Sequence, residues 1–314
     1  MANCTKLFIE FNGELSILPS KKDRMISSRE NLRRTIREDF EENHPGYKPE
    51  FYVQGSYKLG TAIRTKSDHC DLDDGVYFKS NPDDVSGKTL QKWILKAVEE
   101  TTNADPTHKN KCIRVTYSAG YDIDLPVMIF DKEHDSHPLL AVRDSEFQED
   151  DPKEFTDYYK ANKSSQMNRI VKYLKAWCDH KSANMPSGLA MTIFSLDNFY
   201  ENDRDDIALK NTLVEIENQL NEKFECIMPT TPNDNLFANY SDTKKNDFLN
   251  NLSSFIKDAK KALEEKNQLK ASKLWQKHLG ERFPNGKNED EDDDKSKSKL
   301  KSIIGTSRPY CKIR

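Results

Sequence analysis

Apolar residues recur along this chain with two different periods, and the change from one to the other divides it. Met25, Leu32, Ile36 and Phe40 fall at helical spacing in a segment otherwise rich in Arg and Glu, which predicts a long amphipathic helix. It should end before the turn-forming Asn43-His44-Pro45-Gly46. Glu50 to Gln54 is a short β-prone run that meets Gly55-Ser56, giving the order strand, glycine turn, short helix. Leu72 to Phe78 reads as a strand, as do Cys112 to Ser118 and Tyr121 to Phe130, the last two separated by Ala119-Gly120 in the manner of a hairpin. Between them Leu90 to Val98 reads as a helix, so this part forms a mixed α/β unit with a small sheet.

After a polar, acidic connection over residues 143–160 the period becomes helical throughout. Met167, Ile170, Val171, Leu174 and Cys178 share one face; Leu209, Leu213, Ile216 and Leu220 share another; and Leu252 to Leu279 is a further helical region. From Asn285 to Lys301 an acidic block and alternating Lys and Ser leave too little apolar surface to order the chain, which predicts a linker. The tail 302–314 regains Ile303, Ile304 and Tyr310 and is expected to dock back or onto a partner. The expected division is therefore an α+β core over 1–142 with its long helix, a helical domain over 143–284, the linker and the tail. No internal repeat is visible.

Composition narrows the function classes. With 314 residues the chain can bury a sizeable core. A net charge of -4 argues against coating nucleic acid through a global basic field, and no stable nucleic-acid partner is expected; small anionic substrates with metal ions fit better. Six cysteines without a CxxC pair suit reduced cytosolic thiols and disfavour a zinc site. No run approaches a membrane span, so a cytoplasmic location is expected.

The informative chemistry lies in Gln54-Gly-Ser-Tyr-Lys-Leu-Gly-Thr61, then Asp71-Leu-Asp73-Asp74-Gly75, then Tyr121-Asp-Ile-Asp124-Leu-Pro126. In a strand, residues i and i+2 face the same way, so Asp71 and Asp73 present two carboxylates side by side. A pair of Mg²⁺ ions needs hard oxygen ligands from more than one strand, and Asp124 on a neighbouring strand supplies the third. Asp122 has the same relation to Asp124 and competes for that position. At Gly55 the backbone can approach a ligand closely, the Ser56 hydroxyl and adjacent N–H groups can hold phosphate oxygens, and Lys58 adds charge. Taken singly, a Gly-Ser pair is usually a turn and an Asp-x-Asp a solvated strand end. Their joint order and spacing favour a two-metal centre. Asp74 should point away and cap or turn the chain, and His69 and Cys70 read as loop packing.

With these residues in view, the chain resembles the cGAS/DncV-like nucleotidyltransferases (CD-NTases) of bacterial antiphage (CBASS) signalling. The resemblance covers most of residues 15–284 and adds Arg169 through Trp177, Pro186 through Thr192, Pro232 through Leu236, and Trp275 through Pro284 to the motifs above. It implies a polymerase-β-like nucleotidyltransferase core joined to a helical domain like that of oligoadenylate synthetases, with ATP, GTP or other nucleoside triphosphates held between them. It implies that Asp71, Asp73 and Asp124 bind two Mg²⁺ ions, Mn²⁺ being an alternative, and that Gln54, Gly55 and Ser56 contact substrate. Lys175 and Ser187 look like phosphate contacts from the helical side, with Lys172 one turn earlier as a competitor; Arg114 and Asp234 look like substrate contacts. Each has a plainer reading: a solvated lysine, a helix N-cap at Ser187, an Arg114–Asp122 pair. Trp177 reads as core. Many relatives end in a glycine that accessory proteins conjugate, whereas this sequence ends Cys311-Lys-Ile-Arg314, so the expectation is regulation by another accessory protein or by none, with a downstream effector reached through the product.

The reading that follows is an enzyme making a cyclic di- or trinucleotide second messenger. Its alternatives are an RNA 3′-end tailing nucleotidyltransferase and a nucleotide-sensing pseudoenzyme. Base choice and linkage depend on pocket walls that the sequence does not specify.

Overall fold

The computed structural model describes residues 2–181 and 183–288, and within them the two periods become two packed cores. The strands are β1 (Glu50–Gln54), β2 (Cys70–Phe78), β3 (Thr107–His108), β4 (Ile113–Tyr117), β5 (Tyr121–Leu125), β6 (Val127–Ile129), β7 (Leu139–Leu140) and β8 (Gln148–Glu149). The helices are α1 (Thr5–Leu15), α2 (Pro19–Asn43), α3 (Gly55–Leu59), α4 (Gly87–Ala97), α5 (Pro152–Asn162), α6 (Ser165–Lys181), α7 (Gly188–Asn198), α8 (Asp205–Glu222), α9 (Asp242–Glu264) and α10 (Gln268–Leu279). Of the expected linker only residues 285–288 are described, and the 302–314 tail lies outside the described residues.

All the strands join one sheet in the order β3-β4-β5-β2-β6-β7-β8, with β1 also on β2. The long strand β2 is its organiser. It runs antiparallel to β1 on one side and parallel to β5 and then β6 on the other. The single strand expected over Tyr121 to Phe130 is divided at Pro126, which has no N–H for a ladder; its carbonyl instead accepts from Val76 N at 2.8 Å. On one face of the sheet, Met25, Leu32, Ile36 and Phe40 of α2 pack with Leu90 and Ile94 of α4 and with Leu72, Val76 and Ile123.

The helical core holds α5 to α10 around Tyr159, Tyr173, Trp177, Phe194, Phe255 and Trp275. It also takes in α1, which the sequence reading passed over: Leu7, Phe8, Phe11 and Leu15 are buried there, and Tyr173 OH donates to the Phe8 carbonyl at 2.8 Å. The acidic connection at 143–160 is in large part helix α5, begun by Asp151, whose carboxylate caps the N–H groups of Lys153 and Glu154, and by Pro152 in the first turn. Likewise Leu252 to Leu279 is two helices, with Asn267 capping the second.

Asp74 neither caps nor turns the chain. It is fully buried, and Arg33 of α2 grips both its oxygens, at 2.7 and 2.5 Å. Removing one partner of such a pair strands a charge in the core, so Arg33→Ala should lower unfolding stability by about 3–5 kcal/mol in urea titrations. Replacing both partners, Arg33→Met with Asp74→Leu, should restore most of it. A single variant as stable as the wild type would show that the pair anchors nothing.

Candidate active site

The catalytic candidates follow from the sheet register. In the parallel pair β2/β5, Asp71 stands opposite Asp122 and Asp73 opposite Asp124, so alternation along both strands puts four carboxylates on one face. Asp74, one residue on, goes to the other face and to Arg33. Next to Asp73, β1 ends at Gln54 and turns into α3 at Gly55, whose φ of +62° suits glycine. A Cβ on Gly55 would collide with the Asp73 carboxylate, so the close approach of these two segments requires that glycine. Tyr77 OH donates to Gln54 Oε1 at 3.1 Å and fixes that side chain.

These groups form one wall of a cleft of about 740 Å³ between the sheet and the helical half. Gln54, Gly55, Ser56, Asp71, Asp73 and Asp124 line it from the sheet side, and Phe155, Lys175, Cys178, Gly188 and Thr192 from the helical side. Lys175 of α6 is recessed in the wall. Its ammonium donates to the carbonyl and hydroxyl of Thr61 at 3.3 and 3.2 Å, and Gly188 leaves room for its stem. Burial lowers Lys175 to about 8, partly offset by the negative charge of Asp73.

Burial also raises the carboxyl of Asp73 to about 7, reinforced by Asp124 and Asp71, and Asp71 is raised in the same direction by burial. The main counter-charge is Arg114. Its Nε and Nη2 hold the two oxygens of Asp124 at 2.7 and 2.6 Å, and its Nη1 lies 2.7 Å from Asp122. These hydrogen bonds to Asp124 hold Arg114 more firmly protonated than an ordinary arginine.

Lys175 and the Gln54-Gly55-Ser56 turn therefore meet the three expected ligands in the cleft. Ser187 does not line it; its hydroxyl caps α7 by accepting from Ala190 N at 3.2 Å. Asp234 is exposed, and Arg114 sits on the carboxylates behind the cleft lining. Among the described residues, the acidic and histidine groups whose ligand atoms all lie within 4.8 Å of one another are His69, Asp71 and Asp122, and His137, Asp151 and Glu154. The expected set is more open than these, because Asp73 turns toward Gly55 and both oxygens of Asp124 are engaged by Arg114. The face still suits a divalent cation. Asp71, Asp73 and Asp124 share one wall of the cleft, and burial, reinforced by Asp124 and Asp71, raises the Asp73 carboxyl, so added positive charge there would stabilise the ionised carboxylates.

Thr61 and Asp150 are polar lining groups to which the sequence pattern assigns no role. Thr61 closes the glycine-turn motif and anchors Lys175; its place in that motif was the available signal. Asp150, which burial raises to about 6, lies just before the cap of α5 and came into the cleft with that unexpected helix.

A sequence profile described as cyclic GMP-AMP synthase DncV-like, nucleotidyltransferase domain, matches residues 49–128, which hold the glycine turn and all four carboxylates. Residues 49–128 thus match a DncV-like nucleotidyltransferase domain. A cyclic GMP-AMP synthase of Escherichia albertii is 30% identical over 180 residues, 52% of this chain and 38% of that protein, so the chain spans well under half the length of this curated relative. The crystal structure of Vibrio cholerae DncV cyclic AMP-GMP synthase superposes with a TM-score of 0.78 at 17% identity, covering 90% of this chain and 98% of that one. The same synthase in complex with the linear intermediate 5′ pppA(3′,5′)pG gives 0.76 at 18% identity, covering 90% and 97%. The fold is thus the polymerase-β-like nucleotidyltransferase fold expected from the motifs, extended across the helical half.

Proposed function

We propose that this chain is a template-independent synthase that joins nucleoside triphosphates into a cyclic di- or trinucleotide second messenger for antiphage defence. The observation that carries this reading is the in-register ladder Asp71–Asp122 and Asp73–Asp124 beside the Gly55-Ser56 bend, facing Lys175 across one cleft. A cleft of about 740 Å³ is of the size that encloses small ligands. The likeness to a synthase solved with a linear dinucleotide intermediate supports the same class of product.

In each transfer a 3′- or 2′-hydroxyl oxygen of one nucleotide bonds to the α-phosphorus of another, and the α–β phosphoanhydride bond breaks to release pyrophosphate. A second transfer within the linear product closes the ring. Asp71, Asp73 and Asp124 would hold a pair of Mg²⁺ ions, which when bound lower the hydroxyl pKa and offset charge on the leaving group. The protein's own groups orient and bind. The Gly55-Ser56 bend presents a hydroxyl and N–H groups to phosphate oxygens. Lys175, positioned by Thr61, adds positive charge from the opposite wall.

Incubating the purified protein with labelled triphosphates, singly and mixed, in Mg²⁺ or Mn²⁺ should yield a phosphatase-resistant oligonucleotide that Asp71→Ala abolishes. Failure to form product from any mixture would sink the proposal, and extension of an RNA primer in its place would make the protein a tailing enzyme.

A further inference from the structure

The four carboxylates of the active face are compensated unevenly. Arg114 stands on β4 directly opposite Asp124 on β5. Its planar fork covers both oxygens of Asp124 at 2.7 and 2.6 Å, reaches Asp122 Oδ2 at 2.7 Å with Nη1, and brings Nη2 to 3.5 Å from Asp71. The grip on Asp124 is bidentate and so engages both of the oxygens from which a metal ion would draw its ligand. A guanidinium and a divalent cation sharing that edge would repel strongly in so poorly solvated a place.

The neighbouring Asp122 shows a complementary deficit. Its Oδ1 is buried and has no hydrogen-bond partner, while its Oδ2 already meets Arg114 and, at 3.1 Å, His69. Leaving a buried carboxylate oxygen unmet is unfavourable. The missing partner is a donor, and the nearest fork of donors is the one now spent on Asp124.

We propose that Arg114 is a positioning residue with two resting places. It holds Asp124 bidentately while the site lacks metal, and shifts wholly onto Asp122, satisfying both oxygens there, when Asp124 turns to a divalent cation. This rests on the reading of Asp71, Asp73 and Asp124 as cation ligands. Asp122 is then the docking place of the guanidinium and not a fourth ligand. The sheet register makes the exchange short, since Asp122 and Asp124 are two residues apart on one strand and face the same way.

Direct Mn²⁺ binding, read by electron paramagnetic resonance on the full chain without nucleotide, separates this from a simple effect of charge. Arg114→Lys keeps the charge but loses the fork, so it should bind Mn²⁺ on the order of tenfold more tightly than wild type, with Arg114→Gln at least as tight. Arg114→Lys binding like wild type would show that only charge matters and overturn the exchange; weaker binding by both variants would show that Arg114 prepares Asp124 for metal, and overturn it too. In the unaltered protein, the Arg114 Nε–H resonance should shift on saturation with Mg²⁺, and an unmoved resonance counts against the proposal even if the variants fold poorly. Absence of any Mn²⁺ binding that Asp73→Asn removes would defeat the metal reading itself, a result distinct from the other two.

Discussion

Asp73→Asn should cut nucleotide transfer on the order of a thousandfold or more and, at the same time, make the metal-free protein more stable at pH 8. The two effects have one cause. Burial, with Asp124 and Asp71 close by, raises the Asp73 carboxyl from 3.8 to about 7. Between those values the folded protein binds a proton that the unfolded chain has lost, so stability falls as pH rises through that window, and the penalty is complete above about 7. Asparagine has nearly the same shape and no charge to bury. In EDTA the variant should melt higher than wild type at pH 8, by on the order of 5 °C, and the gap should close toward pH 4. Mg²⁺ should then raise the wild-type midpoint and leave that of the variant in place. A variant that keeps a tenth of the activity, or a gap that does not change with pH, would mean that Asp73 is not the strained carboxylate of the site.

That strain was only half legible in the residues. Asp71 and Asp73 share a face because strands alternate, which needs no tertiary information, and α2 announced itself through Met25, Leu32, Ile36 and Phe40. Arg114 is different. A two-residue turn at Ala119-Gly120 would pair Ser118 with Tyr121 and so set Arg114 against Leu125. The loop is one residue longer, with Gly120 at φ +79° and Tyr117 opposite Tyr121, and Arg114 therefore meets Asp124. A shift of one residue decides whether the guanidinium reaches the carboxylate face at all. Helix α5 was hidden for another reason. Its fully committed apolar positions are few, Phe155 and Tyr159, and its start depends on the cap of Asp151 and on Pro152, set in a run that composition alone reads as connection. Helix α1 carries good helical spacing, yet its partner is the helical half more than 150 residues away, as the Tyr173 to Phe8 hydrogen bond shows.

Gly55→Ala should abolish activity for a geometric reason, and comparison with Gly60→Ala isolates it. Both glycines have positive φ, +62° and +76°, so alanine at either position meets a backbone penalty of about 1 kcal/mol. Only at Gly55 is the space taken. A Cβ there would lie 2.8 Å from Asp73 Cγ and still closer to one carboxylate oxygen, whereas at Gly60 nothing stands within 4 Å. Asp73 cannot yield by swinging a long side chain, since it is a short residue on the central strand, held between β1 and β5. Its carboxylate must move, and a displacement near one ångström at a reacting centre costs about a hundredfold in rate. Gly55→Ala is therefore expected to lose about two orders of magnitude in kcat and to weaken Mn²⁺ binding, with Gly60→Ala within a few-fold of wild type on both measures. Equal losses in the two variants would place the effect in the backbone alone; a fully active Gly55→Ala would show that the approach of the glycine bend to Asp73 has no part in the chemistry.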